Sequence, residues 1–171
     1  QKGQDLGGER QYDFSGMSID MDDYGETVAI GAYKNDNANG NDAGHVRVWK
    51  HHKHNDSWTQ KGLDIDGENR YDFAGYSVAI SGRGDKVAVG ATGADVMING
   101  KMKRNAGHVR VFDFDMNSND WLKDGDIDGE QAHEMSGSAV AMSSDGRTVG
   151  IGAYKHDGGS GRDSGQVRVY S

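Results

Sequence analysis

The chain has 171 residues, with 27 acidic against 19 basic side chains for a formal net charge of −8, 27 glycines, and neither cysteine nor proline. That charge argues against neutralising nucleic-acid phosphates or anionic membrane surfaces, and the lack of cysteine excludes disulfides and thiolate metal sites. Apolar residues make up 34%, none in a run approaching the roughly 18 needed to cross a bilayer, yet they recur at strand spacing, which excludes a disordered chain.

The chain opens Gln1-Lys-Gly-Gln4, with no basic-then-apolar leader and no initiating Met, so a processed piece of a longer polypeptide is expected. Gln1 to Leu6 reads as an outer strand lacking a tryptophan. Ser18 to Met21 runs through Asp22-Asp-Tyr-Gly25 into Thr27 to Ile30, two β-runs joined by a short Gly-bearing turn, the pattern of a hairpin. His45-Val-Arg-Val48 alternates so that both valines share one face, and Trp58-Thr-Gln-Lys-Gly62 supplies a fourth strand. The same phrases then return. Phe14-Ser-Gly16, Val28 to Ala32 and Gly44 to Trp49 reappear as Phe73-Ala-Gly75, Val87 to Ala91 and Gly107 to Phe112. A third copy runs Met135-Ser-Gly137, Val149 to Ala153 and Gly165 to Tyr170, then stops before its outer strand. No window shows sustained helical period.

A supersecondary unit copied at a period of roughly 60 residues cannot bury its own apolar faces and must stack on its neighbours. The predicted fold is all-β: a β-propeller of three four-stranded antiparallel blades in one domain, 1–171, with units at about 1–59, 60–121 and 122–171. The paired residues Gly31-Ala32, Gly90-Ala91 and Gly152-Ala153 suit the crowded propeller axis. A β-trefoil is the competing three-repeat fold, but its units are shorter and lack the fourth-strand tryptophan. Three blades do not close a ring. The expectation is a homodimer of two chains forming six blades, each N-terminal strand completing a C-terminal blade, or else three blades of a longer chain.

At these residues the unit resembles the FG-GAP repeat, the blade of integrin α-type propellers, in its short calcium-less variety. Phe14-Ser-Gly16, Phe73-Ala-Gly75 and Met135-Ser-Gly137 stand for the family's Phe-Gly, with one extra residue; Gly31-Ala-Tyr33, Gly90-Ala-Thr92 and Gly152-Ala-Tyr154 stand for its Gly-Ala-Pro, without the proline. The family's calcium hairpin is not carried over. Only Asp20, Asp22 and Asp23 of the first copy keep oxygen ligands, against Ser81 to Gly84 and Ser143 to Gly146, and calcium needs six to eight.

Asp5-Leu-Gly-Gly-Glu9, Asp64-Ile-Asp-Gly-Glu68 and Asp126-Ile-Asp-Gly-Glu130 offer either cation or sugar ligands, or one acid partner for each repeated arginine. The pairing of Arg47, Arg110 and Arg168 with Glu9, Glu68 and Glu130 as blade-to-blade ion pairs is preferred, since such pairs specify registry. The variable polar loops after each Gly-Ala are the expected binding face. Within the first, Asp36, Asn37, Asn39 and Asp42 offer oxygens to Ca2+, with a plain solvated turn as the competing reading. His51, His52 and His54 offer imidazoles to a transition metal on a hairpin tip. His133 and Glu134 break the repeat, yet no nucleophile motif, phosphate loop or paired-His spacing accompanies them. The expected function is a non-catalytic interaction or structural module, extracellular or at the cell surface, with no cofactor beyond that Ca2+. It would bind a protein or glycan through its polar loops and self-associate through open blade edges. The alternatives are a subunit of a surface filament or wall, and a propeller hydrolase or lyase with shifted carboxyl groups in a central funnel.

Overall fold

A computed structural model describes residues 1–171. The chain is all-β, with fourteen strands and no helix. The first sheet takes β1 (Ser18–Met21), β2 (Thr27–Ala32) and β3 (His45–His52), with β4 (Ser57–Gln60) and the short β5 (Ile65–Asp66) both paired to β3. The second links β6 (Ala74–Ile80), β7 (Lys86–Ala91), β10 (His108–Asp115) and β11 (Asp120–Asp128), and the third β12 (Ser136–Met142), β13 (Val149–Ala153) and β14 (Gln166–Tyr170). Every pairing within these sheets is antiparallel. Inside the second Gly-Ala loop, β8 (Val96–Ile98) and β9 (Lys101–Lys103) form a hairpin. Sequence reading took that segment as irregular, but Asn99 and Gly100 both adopt positive φ, the geometry of a tight hairpin turn.

The sheets stack face to face in chain order, because each has two apolar faces at period two. Val46 and Val48 on one face of β3, with Ala29, meet Val78, Ile80, Val87 and Val89 of the second sheet in the largest core cluster. Ala79, Ala88, Val109 and Val111 on the far side of that sheet meet Val149 and Ile151 of the third. Fully burying each such valine or isoleucine contributes about 1.5–3 kcal/mol. The turns between the first two strands of each sheet converge: Asp23 N donates to Gly82 O at 3.1 Å, and Gly82 N to Ser144 O at 2.8 Å.

Two tryptophans tie each outer strand to the segment before its sheet. Trp121 Nε1 donates to Lys61 O at 2.7 Å, and Trp58 Nε1 to Lys2 O at 3.0 Å. Lys2 therefore stands to the first sheet as Lys61, at the end of the first sheet's outer strand, stands to the second. Gln1 to Leu6, read as an outer strand, pairs with no strand of this chain, and β14 lies at a sheet edge.

Candidate interaction faces and loops

The two sheet-to-sheet junctions repeat the same backbone and serine contacts. Gly44 forms a parallel bridge to Ala74, and Gly107 forms one to Ser136. Ser18 Oγ donates to Gly75 O at 2.8 Å, as Ser77 Oγ does to Gly137 O at 2.7 Å. The approach is so close that a Cβ on Gly31 would sit 2.2 Å from Gly75 O, and one on Gly90 2.2 Å from Gly137 O. Tyr33 receives Phe73 and Tyr76 of the next sheet at ring centroid distances of 6.0 and 5.6 Å.

Both ends of the stack leave one half of this junction unfilled. On the third sheet, Gly152 and Gly165 keep the clearance of Gly31 and Gly44, yet the nearest atoms to a Cβ there belong to the same sheet, at 3.4 and 3.6 Å. Val167 and Val169, counterparts of the buried Val46 and Val48, are 73% and 67% exposed. Val167, with Tyr154, Gly152 and Gly165, borders an open groove of about 410 Å3. On the first sheet, Phe14, Met17, Ile19 and Met21 are half-exposed or more, whereas Val78 and Ile80, the counterparts of Ile19 and Met21, are buried. Leu6 and Trp49 cover only the adjoining cluster of Val28, Ile30 and Trp58.

At the loop end of the sheets, the three arginines meet the three glutamates: Arg47 and Glu9 at 3.4 Å, Arg110 and Glu68 at 3.0 Å, Arg168 and Glu130 at 3.2 Å. Each pair joins the segment leading into a sheet to that sheet's third strand. The Arg47 and Arg110 side chains are buried and that of Arg168 nearly so, while each carboxylate is about half-exposed. His108, against Arg110, has its pKa pushed down to about 4 by burial and then by that guanidinium; Arg110 Nε donates to its Nε2 at 3.0 Å. Burial likewise pushes His45 down and, with Asp64 adding repulsion, Asp66 up.

The Gly-Ala loop residues read as calcium ligands are tied to one another and to the Asp66-Gly67 segment by hydrogen bonds. Asp36 Oδ1 accepts from Asp42 N at 2.8 Å, Asn37 donates to Gly44 O and Asp66, and Asn39 donates to Gly67 O. The first of these bonds repeats as Asp95 with Asn105 and Asp157 with Asp163, the later member always at positive φ. His51, His52 and His54 do not converge: His51 bonds Asp56 at 2.8 Å and His52 bonds Thr59 Oγ1 at 2.7 Å. His156 Nδ1 meets the fully buried Glu134 at 2.6 Å, placing this repeat-breaking acid in the interior.

Two further concavities bear on function. One of about 570 Å3 sits over the converging turns, lined by Asp23, Arg83, Asp145 and Thr148. The Ser143 hydroxyl and Arg147 N–H hold Asp145 below the usual range. Burial pushes the adjacent Asp22 upward, but hydrogen bonds from the Glu26 and Thr27 amides and the Thr27 hydroxyl, with the Lys50 charge, together hold it low. The other concavity, about 410 Å3, lies at the loop end beside Arg70, Tyr71, Asp95 and Met102. Tyr71 and its counterparts Tyr12 and His133 all have positive φ, and Tyr12 and Tyr71 expose 72% and 44% of their surface. Bulky residues held in that region concentrate at ligand-contacting loops.

Compared with known protein families and with curated proteins, the chain matches none. Sequence reading passed over His45, His108 and the strained tyrosines. The alternation in His45-Val-Arg47 was the available signal, since it puts the imidazole and guanidinium on one strand face.

Proposed function

We propose that this chain is a non-catalytic interaction module of the extracellular or cell-surface kind, its three sheets acting as consecutive blades of an FG-GAP-like β-propeller completed by a second copy. The observation that carries this is the pair of unfilled half-junctions. Phe14 and Met17 of one copy are to Tyr154 of the next what Phe73 and Tyr76 are to Tyr33. Gly152 and Gly165 keep room for the Ser15-Gly16 backbone, and Gln1 to Leu6 is placed to become the missing neighbour of β14. Two such contacts about a two-fold axis close six blades. The polar loops and the ring-bearing turns at Tyr12, Tyr71 and His133 then present a face suited to a protein or glycan. The low pKa of Asp145 and of Asp22 supports a module without general acid chemistry at the axis.

Light scattering on a sizing column tests the reading. The expected mass is twice 18.5 kDa. Gly152→Val, whose side chain meets only Ala139 of its own sheet, should return a folded monomer. A wild-type monomer overturns the six-blade reading, and a ladder of masses favours the filament subunit, because a head-to-tail contact that fails to close propagates.

A further inference from the structure

We infer that His45, Glu9 and Asp64 form a binding site for one divalent transition-metal ion such as Zn2+. One donor atom from each lies within 4.8 Å of the others. The His45 side chain is 2% exposed and aims Nδ1 at Asp64 Oδ2 across 3.6 Å. That gap is too long for a hydrogen bond and close to the roughly 3.4 Å between neighbouring ligands around a tetrahedral ion with bonds of about 2.0–2.1 Å.

The second repeat supplies an internal comparison. Its matching cluster, Glu68, His108 and Asp126, already holds a cation. Arg110 lies 3.0 Å from Glu68, 3.9 Å from Asp126 and 3.0 Å from His108 Nε2. In the first repeat Arg47 is turned away. Its guanidinium lies 5.5 Å from the Trp49 ring centre and donates to Gly7 O at 2.7 Å, reaching the cluster only at Glu9. Three carboxylates (Glu9, Asp64 and the adjacent Asp66) then face one guanidinium and a buried imidazole that lacks a hydrogen-bonded partner. In the third repeat Gln166 replaces the histidine, so no third site is expected.

The donor set selects the ion. An imidazole with two carboxylates suits zinc or a neighbouring first-row metal, whereas calcium asks for six to eight oxygens. Asp64 and Glu9 are 32% and 44% exposed, which gives an entry path and leaves further positions to water.

The test is calorimetric titration of the full chain with ZnCl2 alone, paralleled by the visible spectrum with Co2+. One saturating site per chain is expected. Asp64→Asn and Glu9→Gln should each weaken it at least 10-fold, and His45→Gln, which copies the residue native to the third repeat, should abolish the Co2+ bands while leaving the fold intact. The double variant H52A/H54A should bind as the wild type does. Absence of a saturating site overturns the inference, as does binding that survives Asp64→Asn and His45→Gln but is lost in H52A/H54A.

Discussion

His108 is one source of pH sensitivity at the scale of single residues. Its pKa in the folded protein is about 4 against an ordinary 6.5. Unfolding below the ordinary value takes up a proton that the folded site refuses. Stability is therefore full above pH 6.5 and falls as pH drops through the window down to about 4, by about 3 kcal/mol for a shift of this size. His108→Gln, which places in the second repeat the residue that Gln166 supplies in the third, should flatten that slope, as read from urea midpoints at pH 7 and pH 4.5; an unchanged slope would remove His108 as its source. Glu68 acts on the same cluster from the surface. Because its carboxylate is 49% exposed and screened, Glu68→Gln should cost only about 1 kcal/mol, shrinking further in 1 M salt. The arginine–glutamate partnerships were legible from the recurrence of both residues in three repeats. The state of His108 was not, since it depends on where Arg110 points.

Between elements, the outer strands are held by a tryptophan reaching back to the segment before its sheet. Trp121 packs on Phe114 with ring centres 5.1 Å apart and donates to Lys61 O, while Lys61 lies over both rings at 5.2 and 4.3 Å. Trp121→Ala should destabilise the fold by about 3–5 kcal/mol, visible as a lower urea midpoint. Trp58 makes the same clasp with Lys2, so removing residues 1–6 should red-shift its fluorescence and lower the melting temperature without dissolving the second and third sheets. The strands themselves could be read from alternation, and the tryptophans from their place in the repeat. Their partners could not, because Lys61 and Trp121 meet only after an entire sheet has been laid between them. The β8–β9 hairpin escaped for a different reason: its Asn-Gly turn lies in a segment too short and too basic to show strand periodicity.

For the whole molecule, the decisive surfaces are the two open ends. If they mate, stability becomes linked to association, and the melting temperature should rise with protein concentration in the wild type but not in Gly152→Val. A concentration-independent melting temperature in both would count against mating. The amino-acid sequence by itself determined the all-β class, the three repeats, the strand order within each and the arginine–glutamate pairs, because alternation and repetition are local patterns that survive without coordinates. Only the tertiary structure decided that Gly152 and Gly165 meet no neighbouring sheet, that Arg110 fills its cluster while Arg47 reaches its own only at Glu9, and that Gln1 to Leu6 rests on Trp58. Those outcomes rest on atomic distances between segments far apart in the chain, which packing sets and residue order alone does not express.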